Sequence, residues 1–204
     1  MSVVHAPRKQ ARQARAVATT EAIVEGAARI LETSGLSALT TNRIAEVAGV
    51  SIGSLYQYFP NRDAVLAALI RREDGKLKQK FAEIAGDWTE PYSAAEALID
   101  ALIGHKFMRP QLAMALDRLE LPLGLEQEEH EGLRSTAVLV GRLVRGLAPG
   151  AGPRAAQDLV AICHGLSYAA LREAEHDLHD IRIRLLRAVY GYLGVPAPAF
   201  NDAC

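Results

Sequence analysis

Apolar residues along this chain recur every third or fourth position rather than every second, and that period predicts helices throughout. Ile23, Ala27, Ile30 and Leu31 form the first stripe, in a helix expected over about 17–34, with Glu25, Arg29 and Glu32 facing outward. Gly35 supplies its C-terminal stop, and Thr40 caps a second helix carrying Ile44, Val47 and Ala48 on one face. Gly49 sits where a sharp reversal needs positive φ. Ser51 then caps a short third helix with Leu55 and Phe59 four residues apart, and Pro60 ends it. Asn61 caps a long fourth helix running through Asp63, Leu66, Leu69 and Ile70 toward Ile84.

The pattern breaks over 86–92, and Ser93 with Glu96 reads as a capping box opening a fifth helix. Its stripe is Leu98, Leu102, His105 and Met108, and Pro110 stops it. A short sixth helix carries Leu112, Leu116 and Leu119 and ends near 122–124. A seventh, over about 127–147, repeats Leu133, Ala137, Val140, Val144 and Leu147. After a Pro/Gly loop at 148–153, two more helices are expected over about 154–174 and 180–193, then a disordered Pro-containing tail. No internal repeat or convincing strand interrupts this, so the fold class is all-α with about nine helices.

Two short helices joined by a glycine turn make a poor core of their own. They make a good reading head for DNA, in which the second helix enters the major groove and the first braces it. Thr40-Thr41, Ile44-Ala45, Ala48-Gly49-Val50-Ser51, Gly53, Leu55-Tyr56 and Tyr58-Phe59 carry a specific, ungapped likeness. Over about 20–69 the chain resembles the N-terminal signature of the TetR family of bacterial transcriptional regulators. The remainder resembles that family only in being helical and of suitable length. The domains expected are a basic flexible arm (1–16), a helix-turn-helix head (17–62) and a helical ligand-binding and dimerisation domain (63–204).

On a helical wheel starting at Ser51, Gly53 and Gln57 oppose the apolar pair, with Ser54 and Tyr56 flanking them. Gln57 can pair with an adenine edge and Ser54 can reach several bases. Thr41 sits at a helix N-terminus, which favours a phosphate. Asn42 and Arg43 are the candidates on the bracing helix, Arg43 being either a DNA contact or a solvated charge. The resemblance implies that Tyr56 and Tyr58 meet phosphates, although the wheel leans Tyr58 toward the core. It also places Arg62 where a backbone-contacting lysine is usual. Ile52 departs from the polar residue often found at its position, and either touches a thymine methyl or packs.

Composition agrees with helices. Half the 204 residues are hydrophobic but only 5% are aromatic, too few for a typical sheet core. A formal net charge of −1 does not by itself suggest a nucleic-acid partner. The average hides a local excess: Arg8, Lys9, Arg12 and Arg15 all precede the first acidic residue, Glu21. This stretch is either a disordered tail or an arm following the DNA. Two cysteines, one of them the last residue, argue against a disulfide framework and for a reducing cytoplasm. No stretch is apolar for long enough to span a bilayer, and no secretory signal is evident.

In the eighth helix Leu159, Cys163, Leu166 and Ala170 make one stripe and Val160, His164, Tyr168 and Leu171 another. Two apolar faces predict packing on both sides, against its own domain and a second subunit, with Gly165 and Gly191 permitting close approach. The resemblance implies a four-helix bundle across a two-fold axis, built from the last two helices of each copy. A small-molecule pocket is expected among helices four to eight, with His105, Met108, Met114, Asp117, His164 and Tyr168 as candidate ligand contacts. Each is alternatively a satisfied core residue.

Enzyme chemistry is not expected. Cys163 and His164 are adjacent and diverge by about 100° on a helix, so they cannot pair. Glu173, His176, His179 and Asp180 fall at a turn and read as a solvated cluster, not a metal site, while Glu126, Glu128, Glu129 and Glu131 suit a helix N-terminus. The expectation is a cytoplasmic, homodimeric DNA-binding regulator without cofactor, more a repressor than an activator, released from a palindromic operator by a small-molecule effector. The alternative is a helical interaction module that does not read DNA sequence.

Overall fold

The computed structural model describes residues 8–86, 90–119 and 126–198, with side-chain surroundings described over 13–85, 90–119 and 134–198. Among these residues there are nine α-helices, one short 3-10 turn (Leu36–Ala38) and no strand. The helices are α1 (Arg8–Ser34), α2 (Thr41–Ala48), α3 (Ile52–Tyr58), α4 (Arg62–Gly86) and α5 (Pro91–Phe107). They continue as α6 (Pro110–Asp117), α7 (Glu126–Leu147), α8 (Ala155–Arg172) and α9 (Leu178–Leu193). The chain divides into two compact units, Met1–Arg72 and Glu73–Cys204.

In the first unit, Ile23, Ala27, Ile30 and Leu31 are buried as their spacing requires, together with Leu39, Ile44 and Leu55. Gly26 lets α1 lie directly against α2: a Cβ there would stand 3.2 Å from Ala48 Cβ and from the Ile44 carbonyl oxygen. α1 starts at Arg8, not near residue 17, so residues 8–16 of the expected flexible arm are helical. Arg, Lys, Gln and Ala are strong helix formers, and no glycine or proline interrupts them before Gly26. Helix nucleated in the packed half therefore propagates outward at little cost. The unit also ends ten residues later than the boundary expected at 62. Val65, Leu66, Leu69 and Ile70 are buried, and Arg72 binds Glu21 and Glu25 at 2.7 and 3.0 Å.

The second unit packs Leu98, Ile99 and Leu102 of α5 in one core with Val140 and Val144 of α7, Leu159 of α8 and Leu185 of α9. Tyr190 is 1% exposed, its ring 5.5 Å from that of Tyr92, and burial pushes its phenol up to about 12. α5 opens at Pro91, and the Ser93–Glu96 capping box does not form. Proline is pre-set for a first helical turn and lacks only an N–H that would go unbonded there. Glu96 instead meets Arg182 of α9 at 2.9 Å, beside Asp100 at 2.6 Å. α9 starts at Leu178, because the Asp177 carboxylate accepts from the backbone N–H of His179 and Asp180, both at 3.0 Å.

The first seven residues of the basic arm, the turn at 122–124, the side chains of Glu126, Glu128, Glu129, Glu131 and Leu133, and the tail beyond 198 lie outside the described residues. No described helix is long and apolar enough to cross a membrane.

Candidate nucleic-acid interface

Local chemistry builds the head as its residues demand. The Thr40 hydroxyl accepts from Arg43 N–H at 3.2 Å and starts α2, and Gly49 ends it with φ 67° and ψ 30°. That left-handed turn is open to glycine at no steric cost. Ser51 then caps α3, accepting from Ser54 N–H at 3.0 Å, with the two hydroxyls 2.8 Å apart. Leu55 is fully buried and Phe59 nearly so, which anchors a seven-residue helix too short to stand alone. Asn61 accepts from Ala64 N–H at 2.8 Å and starts α4.

With its inner face held, α3 leaves Ile52, Gly53, Tyr56 and Gln57 exposed along one side. A Cβ on Gly53 would find nothing nearer than Ser51 Oγ at 3.9 Å, so the backbone there is open to close approach. Tyr56 is 52% exposed, and its hydroxyl lies 3.2 Å from Thr41 Oγ1, tying the reading helix to the start of the bracing helix. Ser54 and Thr41 are half-buried, and Asn42 is exposed. Tyr58 is 39% exposed and does not join the core as its wheel position leaned. Arg43 pairs with Glu46 at 2.7 Å and Arg62 with Asp63 at 3.1 Å. Both pairs are solvent-exposed, hence weak, and a phosphate can take either guanidinium.

The six expected ligand residues scatter. Met108 is 80% exposed and Met114 and Tyr168 half-buried. His105 lines an open cleft of about 680 Å³ between α4 and α5, floored by Leu77, Ile84, Ala97 and Ala101. Asp117 instead stands between His164 and Lys106, the latter a residue the sequence reading missed. Lys106 Nζ stands 3.2 Å from Asp117 Oδ2, and His164 Nε2 stands 3.8 Å from Asp117 Oδ1. The missed signal is the spacing of Lys106: it continues the buried series Ile99, Leu102, Ile103 by a further helical step.

Burial lowers the His105 pKa below its ordinary 6.5, against the opposing pull of Glu73. A histidine that resists protonation when folded lets the unfolded chain take the proton first. Stability is therefore complete above pH 6.5 and declines as the pH falls below it. We expect urea unfolding of His105→Gln to lose this part of the decline. A wild-type slope between pH 6.5 and 5 that survives the substitution would assign it elsewhere.

Cys163 is half-buried, and burial pushes its thiol up to about 12, which disfavours the thiolate at neutral pH. Around the turn before α9, Glu173 binds Arg172 at 2.9 Å, Asp180 binds Arg184 at 2.9 Å, and Glu175 also meets Arg184. Among the described residues, no three His, Cys, Asp or Glu gather as a metal site. On α8 and α9, Cβ atoms added at Gly165 or Gly191 would meet nothing within 4 Å. Ala161 and Ala169 are exposed beside Gly165, and Leu178 and Tyr192 are each 45% exposed.

These features define a protein with a helix-turn-helix head followed in the same chain by a larger α-helical body. The family model for bacterial regulatory proteins of the tetR family matches residues 23–69, and that for the tetracyclin repressor-like C-terminal domain matches residues 91–193. The chain belongs to the TetR family of bacterial regulatory proteins. It is 29% identical over 125 residues to the HTH-type transcriptional regulator BetI of Rhizobium meliloti, covering 61% of this chain and 60% of that one. The chain spans about half the length of the curated relatives it matches, from 49% upward. Its fold is similar to that of the fatty acid degradation regulator FadR from Bacillus halodurans. The TM-score is 0.70 at 20% identity, over 85% of this chain and 97% of that chain. It is also similar to SmeT, solved as a complex with triclosan, with a TM-score of 0.66 at 23% identity over 92% and 99% of the two chains.

Proposed function

We propose that this protein is a cytoplasmic repressor whose homodimer binds a palindromic double-stranded DNA operator and leaves it when a small-molecule effector binds the body. The observation that carries the reading is the outer face of α3. Ile52, Gly53, Tyr56 and Gln57 stand exposed on a helix whose opposite side is locked by Leu55. Seven residues offer too few contacts to be specific alone, so two heads are needed, with half-sites about 34–36 Å apart or a multiple of that. The open faces of α8 and α9 around Gly165 and Gly191 are where a second copy fits.

Thr41, Asn42, Arg43, Tyr56, Tyr58 and Arg62 bind phosphates in this reading, and Ser51, Ile52, Gly53, Ser54 and Gln57 meet the groove. The effector lies against His105 in the α4–α5 cleft or against Asp117 and His164, with Met108, Met114 and Tyr168 as lesser contacts. α4 transmits the change, since it supplies Arg62 to the head and Leu77 and Ile84 to the cleft. By linkage, operator DNA weakens effector binding by the factor with which effector weakens DNA binding.

The test starts by selecting bound fragments from random duplex and titrating the best against salt. Arg62→Ala should weaken every sequence alike and flatten the log–log salt slope by about 1, the loss of one phosphate contact. Gln57→Ala should lose about 1–3 kcal/mol of discrimination at one or two base pairs and leave the slope unchanged. Binding with neither salt slope nor sequence preference would make the chain an interaction module.

A further inference from the structure

Ile52 is the exposed aliphatic side chain of α3, and it occupies the helix's first position, the end that meets base edges when such a helix enters a groove. It is 39% exposed. The polar groups beside it are already engaged with each other, Ser51 Oγ with Ser54 N–H and Ser54 Oγ. On its other side Gly53 carries no side chain to stand between helix and ligand. The leading edge of α3 therefore shows an aliphatic surface next to bare backbone.

The exposed part of this isoleucine gains little for the isolated protein. The β-branch lowers helix propensity, and the exposed part stays in water. The same branch holds χ1 to few rotamers, so little freedom is lost when the side chain is covered. B-DNA presents one apolar group on the floor of its major groove, the 5-methyl of thymine.

We propose that Ile52 is a specificity-determining residue that reads a thymine 5-methyl group in each operator half-site. The inference rests on the reading of α3 as the groove-entering helix. It adds to that reading the base and the atom selected.

The test replaces thymines of the selected operator one position at a time, in both half-sites, with deoxyuridine, which removes the methyl and leaves base pairing intact. Wild-type protein should lose about three- to fivefold in affinity per half-site at one position, the worth of one buried methyl. Ile52→Ala should bind the unmodified operator more weakly and become indifferent to uracil at that position. Ile52→Val should keep most of the sensitivity. Alanine is a better helix former than isoleucine, so an unchanged melting temperature shows that the variant is folded. Specific binding with no uracil-sensitive thymine, or the same loss in Ile52→Ala as in wild type, would overturn the inference and leave the operator reading intact. No sequence-specific binding by wild-type protein would overturn both.

Discussion

Leu55→Ala will loosen the head by about 2–5 kcal/mol, the range for truncating a fully buried leucine where neighbours cannot close the cavity. Leu55 is 0% exposed and sits in the middle of α3, which has only seven residues. An isolated helix of that length is unstable in water, so α3 keeps its place through tertiary anchors. Phe59 is the second anchor, and the Thr41–Tyr56 hydrogen bond is exposed and adds little. Operator affinity should fall with stability, because the exposed face loses its backing. Urea unfolding of the head's signal, set beside anisotropy with labelled operator, measures both. A stability loss under about 1 kcal/mol would mean that α3 is held by something other than this leucine.

Asp117→Ala should destabilise the body by about 3 kcal/mol or more. It strands the Lys106 ammonium, whose side chain is only 9% exposed, with no carboxylate at 3.2 Å. Replacing both, as in Lys106→Met with Asp117→Leu, should recover most of that loss, since a buried ion pair adds little over well-packed apolar groups. The pair also gives the protein an acid limit. Burial pushes the Asp117 carboxyl up, but the His164 hydrogen bond and the Lys106 charge outweigh it, leaving it below its ordinary 3.8. A depressed carboxyl stabilises above the unfolded value near 3.8 and ceases to do so as the pH falls through the lower folded value. Unfolding at pH 7 and at pH 3 should thus differ less in Asp117→Ala than in wild type. Equal losses on acidification in both proteins would place the acid-sensitive group elsewhere.

The head was nearly all legible because its determinants are local. Thr40, Gly49, Ser51 and Asn61 act within four residues of themselves, and Leu55 and Phe59 need only a period of four. The body was legible as helices and not as a site. His105 and Met108 share a stripe in one dimension, yet one lines a cleft and the other is 80% exposed at the helix end. The Ser93–Glu96 box did not form because α5 already opens at Pro91, which leaves Ser93 inside the helix. Glu96 is then free to reach Arg182, far along the chain but close in space.

From the order of residues alone come the all-helical class, the cap and turn chemistry of the head and the outward face of α3, since each follows from forces acting within one or two helical turns. Only the folded chain brings Lys106 to Asp117 and carries Arg72 to Glu21 and Glu25. Those are contacts between distant segments, decided by which helices share a core.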